Sequence, residues 1–346
     1  MHDDYFVFDN VVHMFDNTDA NVVYPQGEVA VRNITNSHTI YGVSEDAVLD
    51  HDFASSKTTV EEALRYLFVE SDTDMAMAQT VPLFGYWREG LAPARLQYEL
   101  KEACPERIVF CGGVDPMYQG VEGAVREMRR QVKEWGAVSM KFYKGHPNGL
   151  SWRADDKAIA YPLYEAALDL GLTSVQFHCG LPFGLEYIDD LRPNDIQGPA
   201  ADFPELVFII HHLGEPYVDE TISMASRFDN VWLSLSSVAI NRWALAPYDV
   251  YHKLGKVLRS VSADKVLWGS EAFIWPNIQT LIKQFTDLQI PEELQDKHGY
   301  PALTVDDRAK IFGLNQARLL GINPADKTFS RMEEAELAHQ RTNSPR

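Results

Sequence analysis

The sequence predicts a single α/β domain with the (β/α)8 fold, the TIM barrel. Three observations predict it: eight short apolar runs, amphipathic segments between them, and a length of 346 residues. Parallel strands that are covered on both faces are continuously apolar, as several of these runs are. A length of about 250 residues or more suits one such barrel. A doubly wound open sheet is the alternative fold, but the sequence has no G-x-G-x-x-G turn of the kind that commonly follows its first strand.

The predicted strands follow one another along most of the chain. All are short and rich in β-branched or aromatic residues, which favour strands. Because apolar runs alternate with helix-period segments, each pair of strands is expected to be joined by a helix and to run parallel. In order, the predicted strands are 5–13, 74–82, 107–114, 137–143, 173–178, 206–212, 230–236 and 265–270.

Four segments between or after the strands have apolar residues at the spacing of a helix face. Thr58 and Glu61 predict a capping box, in which each side chain accepts a hydrogen bond from the other's backbone N–H. The last helix follows Thr304 and stops at Gly321, a typical C-terminal signal. The predicted helices are 58–71, 118–135, 157–170 and 305–320.

Two segments exceed a minimal barrel and set the domain boundaries. Residues 1–322 are predicted to form the barrel, and 323–346 a polar C-terminal arm. Residues 14–57 are predicted to be a long polar loop between the first strand and its helix. Loops of this length are usually functional lids or mobile segments. In a barrel, this lid-like insertion would overhang the active-site mouth, because it follows the C-terminal end of a strand.

The charge balance excludes some classes of partner. The chain has 31 Lys and Arg against 50 Asp and Glu, a formal net charge of −19. Nucleic acids and anionic membrane surfaces are bound through Lys and Arg, so neither is expected as a partner. The sequence has no apolar stretch of 18 residues and no signal peptide at its start. We therefore expect a cytoplasmic protein that acts on a small molecule.

Histidines and a carboxylate stand where several predicted strands end. His13, His178 and His212 end the first, fifth and sixth strands, and Glu271 directly follows the eighth. The C-terminal ends of parallel barrel strands meet at one face, where barrel enzymes place their active sites. Neutral imidazole and carboxylate are ordinary ligands of zinc and related ions. The pattern therefore predicts one site at this face.

Several motifs, in this order, resemble the amidohydrolase superfamily. The similarity is to the amidohydrolase-related branch that includes aminocarboxymuconate semialdehyde decarboxylase. FCGGVDP and MKFYK resemble the third and fourth strands of that branch, and SVQFHCG its fifth. FPELVFIIHHLGEP resembles the sixth, VLWGSEAFIWP the eighth and IFGLNQARLLG the closing helix. The resemblance implies a barrel enzyme with His178 as a metal ligand and His212, rather than His211, as the catalytic histidine. Relatives are commonly dimers, so a homodimer is expected.

The sequence departs from the family pattern at two ligand positions. The first strand of the family usually reads Asp-x-His-x-His, whereas this chain has Asp9-x-Val11-x-His13. The eighth-strand acid is Glu271 where Asp is usual. The remaining set of His13, His178 and Glu271 predicts one divalent ion. Zinc is expected, manganese and iron are alternatives, and a metal-free site is a further alternative. Asp9 is either a ligand or a structural partner.

Further residues are candidates for catalysis and substrate binding. His212 is expected to transfer protons, because its ordinary pKa is close to neutrality. Glu271 is either a metal ligand or a general base. Arg88 could clamp a substrate carboxylate, with His146 and Trp275 as further substrate contacts. Lys141 is either a carboxylated ligand or a polar group of the barrel interior, and Ser236 and Asn241 are candidate hydrogen-bond donors after the seventh strand.

Three functions are consistent with this site. The first is a metal-dependent hydrolase in which metal-activated water attacks a small organic acid, lactone or amide. The second is a metal-dependent, non-oxidative decarboxylase of a small unsaturated or aromatic carboxylic acid. The third is a metal-free barrel that binds a ligand without turnover. The acid at Glu271 favours water activation, and the altered first-strand motif favours decarboxylation.

Overall fold

The computed structural model describes residues 5–41, 55–236, 246–275, 277–327, 329–333 and 337. Its eight strands form one sheet in which each strand is hydrogen-bonded to the next along the chain, all in parallel. This confirms the predicted TIM barrel and all eight predicted strands. The strands are β1 Phe8–Val12, β2 Met75–Gln79, β3 Ile108–Gly113, β4 Ala137–Tyr143, β5 Ser174–His178, β6 Val207–Ile210, β7 Val231–Leu235 and β8 Val266–Trp268.

The barrel closes where β8 reaches β1. Val12, the last residue of β1, forms a parallel bridge with Ala272 in the loop after β8. The His13 amide donates to the Ala272 carbonyl at 2.5 Å, and the Phe273 amide donates to the His13 carbonyl at 3.3 Å. This seam places the residue after β1 beside the loop after β8.

Helices surround the sheet. Two of them continue as single π-helical turns, at Arg65–Val69 and Lys310–Leu314. The described α-helices are Gln26–Tyr41, Val60–Leu64, Ala94–Ala103, Pro116–Gln119, Val121–Trp135, Tyr161–Asp169, Gln197–Asp202, Val218–Ala225, Pro247–Ser260, Ile278–Asp287, Glu292–His298, Val305–Ala309 and Asn315–Leu320.

Helix boundaries differ from the prediction in two places. The predicted helix 118–135 is interrupted at Gly120, whose φ of 68° lies in the left-handed region that breaks a helix. The capping box of the helix after β1 uses Thr59 and Glu62, so the predicted pair was wrong by one residue. The box at Thr304 and the left-handed cap at Gly321 are confirmed.

The insertion 14–57 is not the long loop that the sequence predicted. It contains the helix Gln26–Tyr41, while residues 42–54 lie outside the described part of the chain. The Val23 amide donates to the Tyr86 carbonyl, after β2, and Asn33 Nδ2 donates to the Phe183 carbonyl, after β5. The insertion therefore contacts loops at the C-terminal end of the barrel. Its role as a lid stays a prediction.

The apolar core lies between the sheet and its helices. The largest fully buried aromatic side chains include Phe110, Phe142, Phe177 and Phe208, from β3 to β6. Burying such side chains supplies most of the favourable free energy of folding. In the described part of the chain, no helix is both long and apolar enough to cross a membrane.

Candidate active site

Four buried side chains meet at the C-terminal end of the barrel, and we call them the site cluster: His13, His178, His212 and Glu271. His13 Nε2 lies 3.5 Å from Glu271 Oε1, and His212 Nδ1 lies 3.7 Å from Glu271 Oε2. His212 Nε2 lies 3.2 Å from His178 Nδ1. The structure thus brings together the three histidines and the carboxylate that the sequence singled out.

The topology explains this convergence. His178 is the last residue of β5, and His13 follows β1 directly. His212 lies in a short 3-10 segment, His211–Gly214, after β6, and Glu271 lies in the loop after β8. Because all four strands are parallel, these positions share one end of the barrel.

The backbone is in an unusual conformation at two members of the site cluster. His212 has a φ of 57°, its neighbour Leu213 a φ of 52°, and Glu271 a φ of 64°. The left-handed region costs a residue with a side chain roughly 1–2 kcal/mol. Non-glycine residues held there are concentrated at functional sites, where surrounding contacts maintain them.

His13 is oriented by the strand next to it. Its Nδ1 lies 2.9 Å from the Gln79 carbonyl, which can only accept a hydrogen bond, so Nδ1 carries the hydrogen. In the neutral imidazole, Nε2 is then a bare acceptor, and it faces Glu271. Two acceptors face each other here, an arrangement that a proton or a cation between them would stabilise.

His178 is held by hydrogen bonds and by aromatic rings. Its Nε2 lies 2.9 Å from the Leu181 carbonyl. The Tyr143 ring stacks on it with centroids 4.6 Å apart and an interplanar angle of 15°, and Phe183 contacts it at 5.4 Å. His212 in turn has the Ser236 hydroxyl 3.0 Å from its Nδ1. Both imidazoles are therefore fixed in position.

The electrostatics favour one anionic and two uncharged members of the site cluster. Burial raises the pKa of the Glu271 carboxyl, but His212, His13 and Lys141 lower it more strongly, to about 2. Burial lowers the pKa of His212 to about 4, although Glu271 opposes this, so the expectation of a near-neutral pKa was wrong. Burial also lowers the pKa of His178 well below its ordinary value. At neutral pH the site thus holds a carboxylate and neutral imidazoles, which are bases.

Asp9 supports the loop that carries Glu271. It is completely buried and accepts hydrogen bonds from the Ser270 amide at 2.9 Å, the Ser270 hydroxyl and the Val11 amide. These contacts show a structural partner, the second of its two predicted roles. Burial raises the pKa of Asp9 to about 7, against the lowering effect of its hydrogen bonds.

A layer of polar side chains lies below the site cluster, inside the barrel. Gln79 Nε2 donates to Gln176 Oε1 at 2.9 Å, and His211 Nε2 donates to the same oxygen at 2.7 Å. Lys141 Nζ donates to Gln79 Oε1 at 3.3 Å. Lys141 is therefore a polar group of the barrel interior, and burial lowers its pKa to about 7. His211 belongs to this layer, whereas His212 belongs to the site cluster.

The predicted metal ligands fit a metal ion only in part. Among the described residues, no group of three or more His, Cys, Asp and Glu side chains is arranged to hold one. His13 Nε2 and the Glu271 carboxylate do fit, because both are acceptors and Oε2 of Glu271 is buried without a hydrogen-bond donor in the described structure. His178 has both ring nitrogens in hydrogen bonds. Val11, at the altered motif position, packs against Gly269.

The three predicted substrate contacts lie in different surroundings. Arg88 is exposed, and its Nε donates to the Ala20 carbonyl. His146 is buried, with its Nε2 3.3 Å from Asp115 Oδ2. Trp275 is buried, and its amide donates to the Glu271 carbonyl at 3.3 Å. Trp275 is therefore joined to the site cluster through the backbone, and the roles of all three stay predictions. Asn241 lies outside the described residues.

Sequence reasoning missed the partners that orient the histidines. Gln79 and Leu181 act on His13 and His178 through backbone carbonyls, which every residue has, so no residue type could reveal them. Gln176 was detectable as a polar residue within an apolar strand. Asp115 caps a short helix through its contact with the Met117 amide, and its position beside His146 depends on the loop.

Comparison with known proteins adds to this geometry. A family model described as amidohydrolase matches residues 43–322. No curated protein gives a significant match. A TIM-barrel protein of uncharacterised function from Bordetella bronchiseptica is 19% identical and has a TM-score of 0.61, with 91% of this chain and 98% of that one covered.

Two solved enzymes are similar in fold. A probable 2-pyrone-4,6-dicarboxylic acid hydrolase from Acinetobacter baumannii, with citric acid bound, is 14% identical and has a TM-score of 0.54; 92% of this chain and 100% of that one are covered. A 5-carboxyvanillate decarboxylase from Novosphingobium aromaticivorans, complexed with manganese and a nitrobenzoic acid, is 14% identical and has a TM-score of 0.53; 92% and 96% are covered. At these identities the similarity shows the fold.

Proposed function

The chain belongs to the amidohydrolase family, and we propose that it is a metal-dependent hydrolase of a small carbonyl compound such as an organic acid, lactone or amide. The observation that supports this most is the buried Glu271 carboxylate between ring nitrogens of His13 and His212. An ionised carboxylate and a neutral imidazole are the groups that remove a proton from attacking water.

In this proposal one divalent ion is held by His13 Nε2 and the Glu271 carboxylate. Zinc is the expected ion because it binds imidazole and carboxylate together, with manganese and iron as alternatives. When bound, such an ion polarises a carbonyl oxygen and makes water more acidic. His178, the third predicted ligand, has both ring nitrogens in hydrogen bonds and is not a ligand in this proposal.

His212 is the proposed general base. Its Nδ1 would receive the proton as water attacks the carbonyl carbon and would return it to the leaving group. Glu271, 3.7 Å from that nitrogen, would stabilise the imidazolium while it exists. Trp275 would border the substrate beside Glu271. His146 and Arg88 are proposed as more distant contacts, with Arg88 suited to a substrate carboxylate. A cytoplasmic homodimer remains our expectation for the assembly.

Decarboxylation is the second candidate, and Lys141 favours it. Loss of carbon dioxide requires an acid that protonates the carbon left behind. Lys141 is fully buried near Glu271, and its pKa of about 7 makes it a proton donor at neutral pH. Val11, which replaces a usual metal ligand with an apolar side chain, also departs from the pattern of a hydrolytic site.

A substrate panel tests the proposal. Metal-free enzyme, prepared with a chelator and reloaded with Zn²⁺ or Mn²⁺, is assayed on small lactones, amides and aromatic carboxylic acids, with acid release and carbon dioxide measured in parallel. We expect metal-dependent acid release without carbon dioxide. Carbon dioxide release would establish the second candidate, and binding without turnover would establish a ligand-binding barrel.

Variants then test the two proposed catalytic residues. Glu271→Gln and His212→Asn should each lower kcat by at least about 100-fold, because His212 is the proposed general base and Glu271 the carboxylate that stabilises its protonated form. His252→Asn, on the Pro247–Ser260 helix away from the site cluster, is the control and should keep full activity. Full activity in both site variants would refute the assignment.

A further inference from the structure

A chain of buried hydrogen bonds passes through two members of the site cluster. It begins at the Ser236 hydroxyl, 3.0 Å from His212 Nδ1, and continues from His212 Nε2 to His178 Nδ1 at 3.2 Å. It ends at the Leu181 carbonyl, 2.9 Å from His178 Nε2. Ser236 and both histidines are at most 2% exposed, so water does not compete for these bonds. The chain links the ends of β5, β6 and β7.

The Leu181 carbonyl, at the end of this chain, fixes the direction of every hydrogen bond in it. A backbone carbonyl only accepts, so the hydrogen of His178 is on Nε2. In a neutral His178, Nδ1 is then an acceptor and must receive the Nε2 hydrogen of His212. Neutral His212 is left with a bare Nδ1, which receives the Ser236 hydroxyl. One acceptor therefore determines the tautomers of two histidines.

The terminal carbonyl is itself held firmly. The Leu181 amide donates to the Glu215 carbonyl at 3.0 Å, and the Gly180 amide donates to the Leu191 carbonyl at 2.9 Å. Tyr143 stacks on the face of the His178 ring at 4.6 Å. The loop after β5 thus provides a fixed acceptor and a fixed ring for the first imidazole of the chain.

We infer that Ser236 and His178 are positioning residues that hold His212 with its bare nitrogen, Nδ1, beside Ser236 and the Glu271 carboxylate. This inference rests on the proposed function only where it makes Nδ1 the atom that takes the proton from water, a step in which the Ser236 hydroxyl turns away from Nδ1 and leaves its lone pair free. In this inference His178 orients His212 and does not bind the metal. A bond from His178 to a metal would require its ring to give up the hydrogen bond either to the Leu181 carbonyl or to His212.

The tautomers can be measured without substrate or turnover. In ¹⁵N-histidine-labelled protein, two-bond ¹H–¹⁵N spectra distinguish a protonated ring nitrogen from a bare one, and His178→Asn and His212→Asn assign the signals. We expect His178 and His212 both to carry the hydrogen on Nε2, and His13 to carry it on Nδ1. A hydrogen on Nδ1 of His212 would overturn the inference.

Ser236→Ala tests the first bond of the chain. We expect the single tautomer of His212 to be lost and kcat to fall by about 10- to 100-fold with KM unchanged, because the hydroxyl orients the base and does not bind substrate. Ser236→Thr, which keeps a hydroxyl, should restore much of the single His212 tautomer and much of kcat. Ser234→Ala is the matched control: Ser234 is also buried on β7, and its hydroxyl has no partner in the described structure. Equal effects of Ser234→Ala and Ser236→Ala would overturn the inference.

Metal affinity separates the two roles of His178. Titration of the metal-free protein with Zn²⁺ or Mn²⁺ should show about a 10-fold or larger loss of affinity for His13→Asn and Glu271→Gln. His178→Asn should bind the ion with nearly the affinity of wild type, because His178 acts on His212 and not on the ion. A loss for His178→Asn as large as that for His13→Asn would make it a ligand and refute our assignment. If the tautomers hold but no carbonyl compound is hydrolysed, the proposed function fails and the positioning role stands.

Discussion

Asp9 shows how one buried carboxyl group links stability to pH. It lies at the seam between β1 and β8 and accepts hydrogen bonds only from Ser270 and Val11 among its described contacts. No described cation pairs with it, so burial dominates and its pKa rises to about 7. In the unfolded chain the same carboxyl has an ordinary pKa near 4.

Asp9→Asn should therefore remove a pH dependence. Between pH 4 and 7 the folded protein binds a proton at Asp9 that the unfolded chain has released, so this residue's contribution to stability falls as pH rises. The contribution of Asp9 to the free energy of unfolding falls by about 4 kcal/mol in total over three pH units, and the fall ends above pH 7. Asparagine mimics the protonated acid. Denaturant titrations of wild type and Asp9→Asn at pH 5, 6, 7 and 8 give the difference in their free energies of unfolding at each pH.

We expect the variant to gain stability relative to wild type as pH rises. The neighbouring substitution Asn10→Asp, which adds a buried carboxyl on the same strand, should produce the opposite trend. A constant difference between wild type and Asp9→Asn across this range would mean that Asp9 is already ionised in the folded protein at pH 5.

For single residues, the sequence predicted which side chains form the site cluster. It did not predict their orientation and protonation, which hydrogen bonds determine. The positions of His13, His178, His212 and Glu271 followed from strand ends alone. Their roles depend on which ring nitrogen carries a hydrogen. That depends on the carbonyls of Gln79, at the end of β2, and Leu181, in the loop after β5, which are far apart in the sequence.

Among the elements, the loops after β5 and β6 approach each other most closely at Gly180. Its φ is 65°, and a Cβ there would lie 1.7 Å from the Glu215 carbonyl oxygen and 2.6 Å from the carbonyl carbon. Real Cβ atoms do not approach backbone so closely, so only glycine fits. This contact lies one residue from the carbonyl that fixes His178.

Gly180→Ala should be strongly destabilising. The left-handed backbone and the clash together should cost about 3 kcal/mol or more, measured as the free energy of unfolding in denaturant. Gly171→Ala is the matched control, because Gly171 has a φ of 76° with nothing within 4 Å of the added Cβ. It should cost only about 1–2 kcal/mol. Equal costs would show that the loops can separate freely.

The elements themselves were the most predictable part of the fold. Strands were recognisable because apolar β-branched runs are short and bounded, and their ends moved by only a few residues. The helix Gln26–Tyr41 was missed because polar residues dominate it, and a helix that contacts loops does not need a broad apolar stripe. The break at Gly120 was also missed, because it depends on the backbone conformation of that residue.

For the whole molecule, the end of the barrel opposite the site cluster is where the C-terminal arm attaches. Arg107, just before β3, donates to the carbonyls of Thr73, Asp74 and Ser330. Its guanidinium lies 3.9 Å from the Phe68 ring centroid and 4.7 Å from that of Phe329. A cavity of about 410 Å³ borders this contact. Arg107 thus joins the barrel to the arm.

Arg107→Lys should loosen that connection. A single ammonium group cannot reproduce a planar fork that reaches three carbonyls between two rings, so stability should fall by about 2 kcal/mol. Arg129→Lys, an exposed position on the Val121–Trp135 helix, should change it by less than about 0.5 kcal/mol. Denaturation with limited proteolysis would report both stability and release of the arm. An unaffected Arg107→Lys protein would show that the contact contributes little.

The net charge of −19 describes the surface and not the site. The pKa of Glu271 is lowered by His212, His13 and Lys141, whereas the buried Asp9 carboxyl interacts with it unfavourably. The global charge could be read from composition. The local balance could not, because it depends on which side chains the barrel encloses.

The seam between β1 and β8 also has a consequence for protein synthesis. Glu271 follows His13 by 258 residues in the sequence, so His13 leaves the ribosome long before Glu271 is translated. Because the two face each other across the Val12–Ala272 bridge, a nascent chain that lacks its eighth strand has three histidines and no carboxylate between them. If the proposed function is right, a chain that ends before Glu271 lacks the carboxylate beside His13 and His212 and should be inactive.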